Sequence, residues 1–127
     1  MGKFLLVGVG GFLGSVLRYS FSGFVQGLSR SIDFPYGTLA VNLLGCLVIG
    51  FLSQLAESRG IFTAETRAFV FIGVLGGFTT FSTFGNETIN LWREGESLLA
   101  AGNVAAHLLL CIGAVWISRA VAYQIWG

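Results

Sequence analysis

The chain has 127 residues, of which 54% are hydrophobic and only 10% charged, and its mean hydropathy is +0.81. This length allows one domain, and this composition is typical of a membrane protein rather than of an average soluble domain. The net charge of +1 provides no basic field for nucleic acid, so a nucleic-acid partner is excluded.

Four apolar segments follow one another along the chain, and each has the ~20 residues that a bilayer requires. They predict membrane-spanning helices over residues 4–28, 37–56, 67–91 and 97–125. The first is too long for the ~7–15-residue core of a signal peptide and lacks a small-residue cleavage site, so we expect it to be retained. Because the connections are short and polar, the sequence predicts an all-α membrane protein with a single four-helix transmembrane domain.

The basic residues near the span ends bear on orientation through the positive-inside rule. Four lie on one side of the predicted membrane and two on the other: Lys3, Arg59, Arg67 and Arg119 against Arg30 and Arg93. So weak a bias favours insertion in both orientations, with two copies pairing antiparallel. The alternative is a protein of fixed orientation, with cytoplasmic termini, whose few charges happen to balance.

The first span carries an arginine within the membrane. Gly10, Gly14, Arg18 and Ser22 recur at steps of four residues, which places them on one face of a helix. The glycines indicate close packing against another helix. A charge at membrane depth is costly and predicts a function, here the attraction of an anion into a vestibule. The alternative is that Arg18 extends its head group to the membrane surface.

Polar side chains also occur in the second and fourth spans. Asn42 offers two N–H donors where lipid offers none, either to a neighbouring helix or to a ligand. Asn103, His107 and Cys111 recur at steps of four and form a polar stripe on the fourth span. His107 and Cys111 are metal-ligand types, but two ligands make a poor zinc site. We therefore expect pore lining or interhelical hydrogen bonding there, with a proton relay through His107 left open and Cys46 as a free thiol.

The third span contains the stretch GGFTTFSTF, from Gly76 to Phe84, in the middle of an apolar run. Glycine and threonine are poor helix formers, and unpaired backbone groups are costly in hydrocarbon. The sequence therefore predicts a helix that breaks mid-membrane between Gly76 and Thr80, beginning at the double glycine, and that lines a cavity or binds a ligand. Glu87 follows on the second half of this span, and a carboxylate at membrane depth also predicts a function.

The GGFTTFSTF stretch followed by Glu87 resembles the signature of the Fluc fluoride channels, also called CrcB proteins. The resemblance extends to GSVLR, which ends at Arg18, and to GTLAVNL, which opens the second span and contains Asn42. It also covers the number of spans and the length of the chain. Two separate motifs at the appropriate spacing make the resemblance specific.

The resemblance implies an antiparallel homodimer in the inner (plasma) membrane, with two pores through which fluoride leaves the cytoplasm passively. Phe81 and Phe84 would turn their ring edges toward fluoride, and Asn42 would be the pore amide. The backbone carbonyls of Gly76 and Thr79 from both subunits would hold a structural sodium ion at the dimer centre. Other positions also match the family. Thr38, Ser82, Thr83 and Glu87 would lie near the pore, and Arg18 would lie in the vestibule. The polar track of the fourth span, where the family often has serine or tyrosine, would consist of Asn103, His107 and Cys111.

Three other classes of protein fit the sequence less well. A small four-helix proton-coupled exporter of drugs or cations shares size, dual topology and dimerisation, but such exporters depend on a glutamate in the first span, where this chain has only Arg18. An enzyme is not expected, because no catalytic triad, carboxylate pair or phosphate loop occurs at usable spacing. A passive assembly subunit would leave the polar face of the third span unexplained. Pairing with a homologous subunit is the alternative to a homodimer.

Overall fold

The computed structural model describes all residues from Met1 to Gly127 and consists of helices and short connections. Four helices are long and apolar enough to cross a membrane: Gly2–Ser29, Tyr36–Arg59, Ala64–Arg93 and Ser97–Trp126. They are called here the first to fourth helices. The predictions of an all-helical chain and of four membrane-length helices are confirmed.

The side chain of Gln26 bonds to three backbone groups in and after the turn between the first and second helices. Its Nε2 donates to the carbonyls of Ser31, at 2.7 Å, and Phe34, at 3.0 Å, and its Oε1 accepts from the Gly37 N–H at 2.9 Å. The Gly37 N–H belongs to the first turn of the second helix, and the N–H groups of a first turn have no acceptor within their own helix. Gln26 therefore fixes where the second helix starts relative to the end of the first.

Glycines bring the first and third helices into backbone contact. A Cβ added at Gly77 would lie 2.7 Å from the Gly11 carbonyl oxygen, and one added at Gly10 would lie 2.6 Å from the Phe69 carbonyl oxygen. The second and fourth helices pack in the same way, since a Cβ at Gly50 would lie 2.6 Å from the Val115 carbonyl oxygen. Close approach of this kind is how helices associate in lipid, where the hydrophobic effect between them is absent.

The third helix is interrupted at Thr79 and Thr80. It is π-helical over Ala68–Leu75 and α-helical over Gly76–Phe78, and an α-helix resumes over Phe81–Arg93. Thr79 (φ −87°, ψ 156°) and Thr80 (φ −150°, ψ 118°) are extended. The interruption therefore begins two residues beyond the predicted double glycine, because Gly77 is helical and serves the contact with the first helix.

The fourth helix is α-helical except for one π-helical segment, His107–Cys111. Single π-turns inside α-helices frequently occur at functional sites. The two residues that bound this segment are two of those that the sequence placed on the polar stripe. The segment faces the second helix at the level of Asn42, whose amide nitrogen is 3.1 Å from His107 Nε2.

Candidate functional site

The interruption of the third helix is held open by the side chain of Asn42, on the second helix. Asn42 Nδ2 donates to the Thr80 carbonyl at 3.0 Å, and Asn42 Oδ1 accepts from the Thr80 N–H at 2.8 Å. In a continuous helix the Thr80 N–H would donate to the Gly76 carbonyl. The amide side chain thus replaces the helical partner of Thr80 and frees the carbonyl of Gly76.

The following helix is capped by the side chain of Thr80. Thr80 Oγ1 accepts from the Thr83 N–H at 3.2 Å and donates its own hydrogen to Thr83 Oγ1 at 3.0 Å. This is the usual N-cap arrangement, which satisfies one of the unpaired N–H groups at a helix start. Since Thr83 Oγ1 accepts that bond, its own hydroxyl hydrogen is free to donate elsewhere.

His107 joins this network through both ring nitrogens. Its Nδ1 is 3.1 Å from the Asn103 carbonyl oxygen, which only accepts, so Nδ1 carries the proton. Its Nε2 is 3.1 Å from Asn42 Nδ2, whose orientation is fixed by the two bonds to Thr80, so Nε2 accepts. The imidazole is therefore neutral in this arrangement, and it makes an interhelical hydrogen bond, one of the two roles expected from the sequence.

The aromatic pair begins the resumed part of the third helix. The ring centroids of Phe81 and Phe84 are 5.3 Å apart with the planes inclined by 55°, and Phe84 lies 4.2 Å from the His107 ring centroid. Phe84 is 9% exposed, whereas Phe81 is 82% exposed. One ring of the pair therefore belongs to the core, and the other lies on the surface of this single chain.

A cavity of about 380 Å³ lies between the second, third and fourth helices. It brings together seven of the residues predicted from the sequence: Asn42, Gly76, Thr79, Phe81, Phe84, His107 and Cys111. Seven further residues line it, among them Thr80 and Cys46, and none of the seven was predicted as a site residue. Thr80 could have been found as a threonine, a preferred N-cap residue, directly before the point where the helix resumes.

A second, larger cavity of about 880 Å³ opens between the first helix, the start of the second and the resumed part of the third. It is lined by Arg18, Thr38, Thr83 and Glu87, all predicted site residues. Arg18 Nε donates to the Gly77 carbonyl at 3.0 Å, beside the interruption. Glu87 Oε1 is buried and has no hydrogen-bond partner in the chain. Thr80 is the one residue that lines both cavities.

Two predicted residues lie outside these cavities. Ser82 is exposed and contributes to neither lining. Asn103 is fully buried, and its Nδ2 donates to Thr88 Oγ1 at 2.9 Å, while its Oδ1 has no partner. The carbonyl of Asn103 also accepts from His107. In this chain Asn103 therefore connects the third and fourth helices behind the site.

The carbonyls that the sequence predicted as sodium ligands, those of Gly76 and Thr79, belong to residues that line the smaller cavity. The Gly76 carbonyl has lost its helical N–H partner to Asn42. Carbonyl oxygens freed in this way are suitable ligands for a monovalent cation. One chain supplies two of them, so the residues present fit a sodium ion if a second copy contributes the same pair.

Comparisons with known proteins identify the family of this chain. Residues 5–119 match the family described as CrcB-like protein, Camphor Resistance (CrcB). The fluoride-specific ion channel FluC of Elusimicrobium minutum is 49% identical over 114 residues, which cover 90% of this chain and 88% of the relative. FluC of Opitutus terrae is 46% identical over 124 residues, covering 96% and 93%. FluC 3 of Methanosarcina barkeri is 41% identical over 121 residues, covering 95% and 90%.

Proposed function

The chain belongs to the CrcB family, and from this premise we propose that it is a fluoride-selective ion channel that lets fluoride leave the cytoplasm passively. The observation that carries the proposal is the cavity at which Asn42, the interrupted third helix and the Phe81–Phe84 pair meet, within a chain similar over most of its length to proteins named as fluoride channels. The protein is an ion channel, not an enzyme. The alternative of a proton-coupled exporter has no support, because the first helix contains no carboxylate.

The chemistry of the two cavities suits a small, strongly hydrated anion. Such an ion must exchange its water for several donors that a larger halide would meet poorly, yet a ring of full positive charges would hold it too tightly to conduct. The free hydroxyl hydrogen of Thr83 and the positive ring edges of Phe81 and Phe84 supply neutral donors. Both hydrogens of Asn42 Nδ2 are engaged, so fluoride bound there would replace His107 Nε2 as the acceptor.

The ion is proposed to pass between the two cavities at Thr80. Arg18 attracts anions into the larger cavity, where Thr38, Thr83 and Glu87 line the route. The smaller cavity continues it past Phe84 and His107. Ser82, which is exposed in one chain, would reach the ion only where a second copy completes the wall of the pore.

The functional unit is proposed to be an antiparallel homodimer in the inner (plasma) membrane, with two pores. Support comes from the weak bias of the basic residues and from the surface position of Phe81, a large aromatic side chain beside a cavity. The interruption at Thr79 and Thr80 divides Ala64–Arg93 into nearly equal parts, as a break in the middle of a bilayer would. Reporters fused to the C-terminus should therefore be found on both sides of the membrane, and a single sidedness would contradict the antiparallel pairing.

A structural sodium ion is proposed at the centre of this dimer. The carbonyls of Gly76 and Thr79 from the two copies would surround the ion with four neutral oxygens. The ion would in turn satisfy carbonyls that have no helical partners. The ion would join the two interrupted helices and thereby fix the position of the aromatic pairs. Replacing sodium by a larger cation should lower fluoride flux, and unchanged flux would argue against this site.

Efflux from proteoliposomes tests the proposed function directly. Vesicles that contain purified protein are loaded with potassium fluoride or potassium chloride, and valinomycin starts the efflux of either anion. We expect rapid loss of fluoride, measured with a fluoride electrode, and retention of chloride. Equal rates for the two anions would overturn the proposed selectivity, and the absence of flux for both would overturn the proposed channel.

A further inference from the structure

The second and fourth helices face each other through a regular ladder of pairs. Asn42 faces His107, with Nδ2 and Nε2 3.1 Å apart, and Gly50 lies against the backbone of Val115. In both pairs the partners are separated by 65 residues in the sequence. Equal separation at successive levels means that the two helices run parallel and keep their register. The pair midway between these levels is Cys46 and Cys111.

The two thiols lie where this register places them. The constant separation of 65 residues puts Cys46 and Cys111 at the same level of the two helices, and both line the 380 Å³ cavity. Neither forms a disulfide. They are also the only cysteines in the chain. The fold thus presents a pair of neighbouring free thiols from two parallel helices to one cavity.

We propose that Cys46 and Cys111 form a two-coordinate site for a soft, closed-shell cation such as Hg²⁺, Ag⁺ or Cu⁺. Soft thiolate ligands select such ions over the hard cations that oxygen ligands prefer. Binding breaks the two S–H bonds, releases two protons to water and forms two metal–sulfur bonds. No oxidation state changes, and no further reactant is required.

The surroundings favour two ligands over a tetrahedral zinc site. Zinc sites in proteins need four ligands, or three and a water, and no group of three or more histidine, cysteine or acidic side chains converges in this chain. His107 is near, but its two nitrogens are engaged with Asn42 and the Asn103 carbonyl. The cation therefore finds two thiols and no third free ligand, which is the set that a linear d¹⁰ ion accepts.

The site would also act on ion flow, an inference that depends on the proposed function. Cys46 and Cys111 are one helical turn beyond Asn42 and His107 and share a cavity with Phe81 and Phe84. A bound metal would occupy part of that cavity and add positive charge beside the proposed fluoride route. Soft metals are therefore expected to inhibit fluoride flux from within the protein.

Mercury binding to the purified full chain in detergent tests the site without any transport assay. With Hg²⁺ as the probe, we expect one metal per chain by intact mass, the loss of two protons, and the ultraviolet charge-transfer band of mercury bonded to sulfur. Cys46→Ser and Cys111→Ser should each weaken binding at least ~100-fold, since loss of a ligand costs no less than loss of a group that orients one. Ser118→Ala, which alters a polar residue further along the fourth helix, should bind like the unaltered chain.

Two results would overturn the site: binding of one mercury by each thiol independently, and unweakened binding by either single variant. Fluoride efflux is then measured with and without Hg²⁺, with a dithiol chelator to reverse the effect. Inhibition that both cysteine variants abolish supports the site and its position on the route. Mercury binding with unchanged efflux supports the site and contradicts the proposed route, so the two failures are distinguishable.

Discussion

The Asn42 carboxamide and the Thr80 peptide group form a closed pair of hydrogen bonds, with Nδ2 3.0 Å from the Thr80 carbonyl oxygen and Oδ1 2.8 Å from the Thr80 nitrogen. One side chain of the second helix therefore substitutes for the backbone partners that Thr80 would have in a regular helix. The same amide nitrogen also contacts His107. Three helices are thus joined at the point where the third is interrupted, and the geometry of both cavities depends on Asn42.

Asn42→Asp should slow fluoride efflux by at least ~10-fold, since a buried acceptor left without its donor costs about 1–3 kcal/mol. The carboxylate keeps the shape of the side chain and still accepts from Thr80 N–H, but it faces the Thr80 carbonyl and His107 Nε2 without a hydrogen to donate. Efflux from proteoliposomes measures the effect. Asn86→Asp, at an exposed position of the third helix, introduces the same charge as a control. Equal efflux for Asn42→Asp and Asn86→Asp would remove Asn42 from the pore.

The two phenylalanines should respond differently to replacement by isoleucine. Phe81→Ile removes a ring edge that is proposed to face fluoride, so it should reduce fluoride efflux strongly. Because Phe81 is 82% exposed, the same change should not lower the stability of the single chain. Phe84 is 9% exposed and packs on His107, so Phe84→Ile should reduce efflux and also lower the free energy of unfolding by about 1 kcal/mol. Efflux and detergent unfolding are measured on the same preparations.

Phe12→Ile is the matched control for both, because Phe12 is 67% exposed on the first helix and lines neither cavity. Its efflux should equal that of the unaltered protein. If Phe81→Ile also transports fluoride at the full rate, its ring edge has no part in conduction. If Phe84→Ile changes neither the efflux nor the free energy of unfolding, the contact between Phe84 and His107 contributes to neither.

Gly77→Ala should lower the free energy of unfolding by about 1–3 kcal/mol, the usual cost of forcing an added methyl group into a packed contact. The new Cβ would lie 2.7 Å from the Gly11 carbonyl oxygen, a backbone atom that cannot move aside alone. Gly113→Ala is the control, because a Cβ at that helical glycine meets nothing within 4 Å. Denaturant unfolding in mixed micelles compares the two, and equal stability of both variants would contradict the close contact.

The sequence predicted the four helices because their length and hydropathy are properties of single segments, and it predicted the cluster around Asn42 and Phe84 through a family motif. It placed the start of the interruption too early, at the double glycine, although the predicted range from Gly76 to Thr80 contains Thr79 and Thr80. The role of Gly77 depends on Gly11, a neighbour that no local propensity reveals. The pairing of Cys46 with Cys111 escaped prediction for a similar reason. It follows from the register of two helices distant in sequence, which only the assembled structure supplies.

Arg18 has two contacts that bear on its role. Its Nε donates to the Gly77 carbonyl at 3.0 Å, and the residue lines the larger cavity. The guanidinium is therefore tied to the third helix. It both satisfies a carbonyl near the interruption and places a positive charge beside the proposed route. Substitutions that separate the charge from the hydrogen bond distinguish these contributions.

Arg18→Lys keeps the charge, whereas Arg18→Gln removes it and keeps a donor. If the charge attracts fluoride, Arg18→Gln should slow efflux by ~10-fold at low ionic strength, and Arg18→Lys should retain most of the rate. Raising the salt concentration shortens the screening length from about 30 Å at 0.01 M to about 10 Å at 0.1 M, so the gap between the two variants should narrow. Equal slowing of both variants at every salt concentration would mean that the hydrogen bond from Arg18 Nε to the Gly77 carbonyl, not long-range attraction, accounts for the arginine.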